Sequence, residues 1–238
     1  LRPIGCPIQK AKEYYNDGID EIICIDAVAS LYGRNNAVKL VKEISKNIFL
    51  PITVCGGIRT IEDASNIILN GADKIGINTA AVENPNFLTM LAKEFGSQSI
   101  VLSVEAKKKS PSTWEVFINS GRDPTGIDVK LWIKKAVDLG IGSVFLTSID
   151  NDGTKLGFDK ELCEEVFDIC EVPLVISGGL GKIKDLTILA KNSDMNGFAA
   201  ASAFHNNLLT INEIKKFLID YKINVKNWGT YANWNNFF

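Results

Sequence analysis

An internal repeat sets the tightest limit on how this chain can fold. Gly56-Gly57-Ile58-Arg59-Thr60-Ile61-Glu62-Asp63 returns as Gly178-Gly179-Leu180-Gly181-Lys182-Ile183-Lys184-Asp185. Each copy follows a Pro-initiated apolar run and opens an amphipathic stretch. An aspartate stands upstream of each, Asp26 before the first copy and Asp150 before the second. Downstream, Gly57 to Thr79 and Gly179 to Ala201 are equally spaced, and each interval reaches the end of the next apolar run.

Around the repeat, short β-branched runs alternate with longer amphipathic ones. The predicted strands are 21–26 (EIICID), 51–55 (PITVC), 73–78 (DKIGIN), 99–105 (SIVLSVE), 143–149 (SVFLTSI), 173–177 (PLVIS) and 196–201 (NGFAAA). Their near-continuous apolar character is that of parallel strands buried on both faces. Helical patterns cover 8–17, 36–45, 60–70, 85–95, 129–139, 160–170 and 183–191, with Asp, Asn or Thr near their starts. Repeated βα units require a parallel sheet with helical crossovers, either open and doubly wound or closed. Two matching halves that close on each other favour the closed form, a (β/α)8 TIM barrel with a half-barrel internal repeat.

Only seven strands are legible. Residues 1–7 read as a loop entering the first helix, so the first strand of the barrel is expected to be missing from this chain. The barrel is expected to occupy 1–226, and the aromatic, Asn-rich segment 227–238 (WGTYANWNNFF) reads as an irregular tail. The 238 residues are 46% hydrophobic, which suffices for a core without staples. A formal net charge of -2 disfavours nucleic acid as a partner, because phosphate neutralisation needs basic surface. No apolar run approaches the roughly 18 residues of a membrane span. The five cysteines (Cys6, Cys24, Cys55, Cys163, Cys170) are scattered, with no C-x-x-C pair, and read as reduced thiols of a cytoplasmic protein.

In barrels of this type the site lies at the C-terminal ends of the strands. Those ends collect Asp26, Gly56, Gly57, Asn78, Thr79, Glu105, Asp150, Asp152, Gly153, Ser177, Gly178, Gly179, Ala201 and Ser202. Glycines after a strand let main-chain N–H groups approach an anion, and a following helix start adds a favourable dipole. Two such turns in matched halves, each followed one strand later by a hydroxyl (Thr79, Ser202), point to two phosphate sites at one mouth. The plainer reading is that the glycines serve turn geometry alone. A bulky residue at Gly179 is expected to obstruct one anion site while leaving the core intact. Asp26, Glu105 and Asp152 come from different strands and converge on the axis. Such carboxylates can divide acid and base roles once burial separates their pKa values, or else merely cap the following helices. His205 is the single histidine and no cysteine joins it, so no metal site is expected. No G-x-S-x-G elbow is present.

The segments IDAVAS, CGGIRTIEDA, GADKIGINTAAVENP, LTSIDNDGTKLGFD, ISGGLGK and AAASAFH together resemble the cyclase subunits of imidazole glycerol phosphate synthase, over essentially residues 1–226. The resemblance implies a barrel that works with a glutaminase subunit as a heterodimer and requires no cofactor. Ammonia delivered through the barrel would split a bis-phosphorylated ribulosyl aminoimidazole carboxamide substrate, giving imidazole glycerol phosphate and aminoimidazole carboxamide ribotide. It also implies catalytic roles for Glu105 and Asp152, and phosphate contacts from the glycine turns. Glu105 stands where the family has an aspartate, and the family's other acid/base aspartate belongs to the first strand, which is not seen. At the opposite end, Glu21 and Lys74 match charged residues of the ammonia entrance, whereas Ser143 stands where a glutamate is expected. With RPIG (2–5) and ASLYGRN (29–35), these departures resemble a paralogous branch that amidates a surface-polysaccharide sugar. A non-catalytic barrel that activates a glutaminase is the remaining alternative.

Overall fold

The computed structural model describes residues 5–27, 37–188 and 196–226. All seven predicted strands are present: β1 (Ile22–Ile25), β2 (Ile52–Cys55), β3 (Lys74–Ile77), β4 (Ile100–Ser110), β7 (Ser143–Ser148), β8 (Leu174–Ser177) and β9 (Gly197–Ala199). They are parallel neighbours in that order, without a switch point, so the architecture is the (β/α)8-type barrel with matched halves. β9 and β1 do not pair with each other among the described residues. The elements flanking them meet instead. Tyr14 of helix α1 (Pro7–Asn16) packs at a tilt against Phe204, stacks on His205 and hydrogen-bonds its Nδ1, and Lys215 Nζ donates to Asp20 at 2.8 Å.

The helices follow their capping signals. In α3 (Ile61–Leu69), Thr60 and Asp63 form a reciprocal capping box, satisfying N–H groups that the first turn leaves unpaired. Asp128 and Asp159 cap α6 (Val129–Asp138) and α7 (Lys160–Phe167) through the N–H groups of Leu131 and Leu162. The remaining helices are α2 (Ala37–Ser45), α4 (Thr79–Glu83), α5 (Asn86–Phe95), α8 (Ser202–His205) and α9 (Ile211–Asp220). Between strands and helices lies one continuous apolar core, from Val41, Val54 and Ile75 to Leu102, Leu146 and Ile214. The segment predicted helical over 183–191 begins as a 3-10 turn, Ile183–Leu186, and the end of that prediction lies outside the described residues. So do the motif at 29–35 and the tail 227–238.

Two features differ from the sequence reading. β4 runs past Glu105 to Ser110 and pairs with an antiparallel hairpin, β5 (Thr113–Ile118) and β6 (Asp123–Asp128), that the βα rhythm does not announce. The repeat also differs in detail: its upstream aspartates are not equivalent, and its downstream register departs by one residue from equal spacing. Ile25 pairs with Cys55 and Thr147 with Ser177, so the residue matching Asp26 is Ser148 rather than Asp150. One strand later, Asn78-Thr79 and Ala201-Ser202 are equivalent as the residue before a short helix and its first residue. Asn78 (φ -122°, ψ -86°) and Ala201 (φ -116°, ψ -63°) share an unusual conformation that reaims the chain in the same way.

Candidate active site

The strand ends in the first half surround a cavity of about 100 Å³, lined among others by Asp26, Gly56, Gly57, Asn78, Thr79 and Glu105. Gly56 has φ +98°, and a Cβ there would lie 2.4 Å from the Asp26 carbonyl oxygen. Gly178 has φ +97°, and its Cβ would lie 2.7 Å from the Ser148 carbonyl oxygen. The same close approach therefore fixes the first glycine of each repeat, which is the physical reason the motif recurs. Gly179 is more confined still. A Cβ there would be 2.0 Å from the Gly157 carbonyl oxygen, whose own N–H donates to the Gly179 carbonyl at 2.8 Å. A bulky residue at Gly179 must therefore displace backbone, which corrects the expectation that it would spare the fold. Gly153 (φ +74°) has open space where its Cβ would be.

Glu105 points from β4 into this mouth. Asn78 Nδ2 donates to its Oε2 at 2.8 Å, and the Gly121 N–H donates to the same oxygen at 2.9 Å. Burial pushes the Glu105 carboxyl above its ordinary range, against the pull of those two donors, and the charge of Asp152 adds to the rise. Asp152 sits in the turn after β7, where its N–H closes on the Ser148 carbonyl at 2.9 Å. Asp152 is exposed, and its charge is the smallest of the influences on Glu105. Asp26 closes β1, with its N–H on the Cys55 carbonyl at 2.9 Å, and lines the cavity. Cys55 lines it too, but burial pushes its thiol up to about 12, so it stays protonated and is no nucleophile. All five cysteines are free.

In the second half, Ser177 ends β8, Gly178 and Gly179 follow it, and Ala201-Ser202 start α8. Asp150, in the turn after β7, accepts the Lys108 N–H on its Oδ2 at 2.7 Å. The residues that sequence reasoning missed belong to the hairpin turn. The Asn119 N–H donates to Thr79 Oγ1 at 3.1 Å, and Ser120 Oγ donates to the Ala27 carbonyl at 2.6 Å. The signals were the alternation in TWEVFI and the turn residues in NSGRD, both overshadowed by the strong helical pattern that follows.

At the other end of the strands, Lys74 Nζ and Glu21 Oε2 form an ion pair at 3.3 Å, both side chains about one-third exposed. Ser143 opens β7 at the same end. No helix among the described residues is long and apolar enough to cross a membrane.

Comparison with known proteins gives this barrel its relatives. The profile described as histidine biosynthesis protein matches residues 1–210. The chain belongs to the histidine biosynthesis protein family. Within that family, the imidazole glycerol phosphate synthase subunit HisF of Legionella pneumophila is 48% identical over 185 residues, covering 78% of this chain and 87% of the relative. The subunit of the same name from Dictyoglomus thermophilum is 43% identical over 218 residues, 92% of this chain and 86% of the relative. That from Streptococcus mutans is 36% identical over 226 residues, 95% and 90% respectively. Membership in the histidine biosynthesis family thus rests on nearly the whole barrel, including both glycine turns, and makes the chain a biosynthetic enzyme subunit of the HisF type.

Proposed function

We propose that this chain is a cyclase subunit that uses ammonia from a glutaminase partner on a bis-phosphorylated ribulosyl aminoimidazole carboxamide, releasing imidazole glycerol phosphate and aminoimidazole carboxamide ribotide. The observation that carries the reading is the mouth itself, where half-buried Glu105 lines the cavity with Gly56, Gly57, Asn78 and Thr79, and the first glycine of each repeat meets the same carbonyl contact. Main-chain N–H groups at Gly56-Gly57, with Asn78 and Thr79, hold one phosphate. Those at Gly153 and Gly178-Gly179, with Ser177, Ala201 and Ser202, hold the other. Anchoring both ends fixes the reacting centre over the axis, and positioning of this kind accounts for a large share of rate enhancement. Glu105 and Asp152 then move protons during ammonia addition and ring closure, the raised pKa suiting Glu105 to donate. Asp26 lies against the first phosphate turn and orients the ligand. At the opposite end, the Glu21–Lys74 pair marks the ammonia entrance and the docking face of the glutaminase. Such a complex works in the cytoplasm, with its cysteines reduced.

A second reading has its own support. Glu105 is one methylene longer than the expected aspartate, and Ser143 removes one charge from the entrance. Both favour a paralogous amidotransferase synthase that acts on a polysaccharide sugar. Assay with an ammonium salt replacing glutamine tests the first reading. Turnover of the bis-phosphorylated ribulosyl substrate, lost in Glu105→Gln, is expected. Saturable ammonium-dependent turnover of a sugar in its place would establish the paralogue, and failure with both substrates would leave a scaffold that activates the glutaminase.

A further inference from the structure

The β5–β6 hairpin contributes nothing to the parallel ring, yet it is fastened at both ends. At its base, the Lys108 N–H is held by Asp150 at 2.7 Å, and Trp114 Nε1 donates to Asp159 at 3.1 Å. The Lys108 ammonium pairs with Glu161, and Trp114 is 2% exposed. At its tip, Asn119, Ser120 and Gly121 take φ values of +54°, +61° and +71°, three left-handed residues in a row. Such a run is costly for Asn and Ser and persists only where its surroundings over-determine it. Here the Thr79 hydroxyl, the Ala27 carbonyl and the Glu105 carboxylate supply the restraint.

The consequence falls on Glu105. Its Oε2 takes both the Asn78 amide and the Gly121 N–H, and among the described residues no donor reaches Oε1. Asn78 is itself held by a second bond, from Nδ2 to the Phe117 carbonyl at 3.1 Å. We propose that the hairpin turn is a positioning element for Glu105, its Gly121 N–H fixing Oε2 so that Oε1 is the oxygen that exchanges the proton. The inference rests on Glu105 being the proton-transfer group. It also explains how a longer glutamate serves in the mouth: the hairpin turn reaches in from above and immobilises the extra methylene. The two donors oppose the effect of burial, so they set how far the carboxyl rises.

Carbon-13 at the glutamate carboxyl positions allows Glu105 to be titrated by NMR in the whole protein. Replacing Gly121 by glycolate exchanges the amide for an ester, which removes the N–H without adding a side chain. The matching ester at Arg122 removes an N–H that donates to the Ile118 carbonyl at 3.1 Å and serves as the control for turn stability. The Gly121 ester should raise the Glu105 pKa, since it removes a donor to the charged form. The Arg122 ester should leave it in place. Equal shifts in both, or none in either, overturn the proposal. The unmodified protein provides a second measurement should the ester fail to fold, because the Gly121 amide resonance should titrate together with the Glu105 carboxyl. A Gly121 amide silent through that titration overturns the clamp. If the Glu105 pKa moves as expected but the pH profile of ammonium-driven turnover does not follow, the clamp stands and the proton-transfer role of Glu105 fails.

Discussion

Gly179→Ala and Gly153→Ala form a matched pair that isolates the steric reading of the mouth. Both glycines have positive φ, +101° and +74°, and both belong to the proposed second phosphate site. Only Gly179 presses on a neighbour, with its Cβ position 2.0 Å from the Gly157 carbonyl oxygen and 2.8 Å from the carbonyl carbon. Relief requires that carbonyl to retreat by more than an ångström, and its residue is tied back to Gly179 by a 2.8 Å hydrogen bond. Overpacking of this kind costs about 1–3 kcal/mol, and the backbone strain adds about 1–3 kcal/mol. Gly179→Ala should therefore lose about 4 kcal/mol, against about 1–2 kcal/mol of conformational cost alone for Gly153→Ala. Urea unfolding followed by tryptophan fluorescence reads the difference, a midpoint lower by on the order of 1 M for Gly179→Ala. If the two variants fall by the same amount, the carbonyl contact is not what demands glycine at 179.

Glu105→Gln should change the pH dependence of stability as well as activity. Burial raises the folded pKa, so the native state holds a proton that the unfolded chain gives up earlier. Stability is then lost as pH rises from the ordinary carboxylate range through the raised value, and Gln abolishes that loss; melting temperatures of both proteins across this window should diverge at the upper end. Thr79→Val removes the acceptor of the Asn119 N–H and should cost about 1–2 kcal/mol in unfolding free energy, with weaker binding of phosphate-bearing ligands read by calorimetry. Lys74→Met breaks a part-exposed ion pair and should alter unfolding free energy by less than about 1 kcal/mol. In the glutaminase complex the same variant should lower glutamine-driven turnover relative to ammonium-driven turnover, measured side by side.

The parallel frame was legible because its strands are apolar throughout and its turns carry glycine for a backbone reason. Gly56 and Gly178 meet the same carbonyl contact in both halves, so their repetition in the sequence was a true report of symmetry. The finer register was not. Equal spacing from Gly57 to Thr79 and from Gly179 to Ala201 placed Thr79 opposite Ala201, whereas the geometry places it opposite Ser202. A one-residue difference between β3 and β9 leaves no trace in apolar patterning. The bond made by Asp150 was not legible either, because an aspartate after a strand reads the same whether it faces the mouth or holds a main-chain N–H, as it does on Lys108. Glu105 could be found from its strand, but not its partners. Gly121 acts through its main chain, and no side-chain pattern advertises an N–H.

Calorimetric titration tests, without requiring turnover, whether one mouth holds two phosphates. The bis-phosphorylated ribulosyl substrate analogue should bind at least about tenfold tighter than either mono-phosphorylated half, a difference of about 1.4 kcal/mol or more. Ser202→Ala should narrow that gap by weakening one anchor while leaving the affinity for the opposite mono-phosphate unchanged. Equal affinities for the bis- and mono-phosphorylated ligands would show that the matched glycine turns serve only the fold.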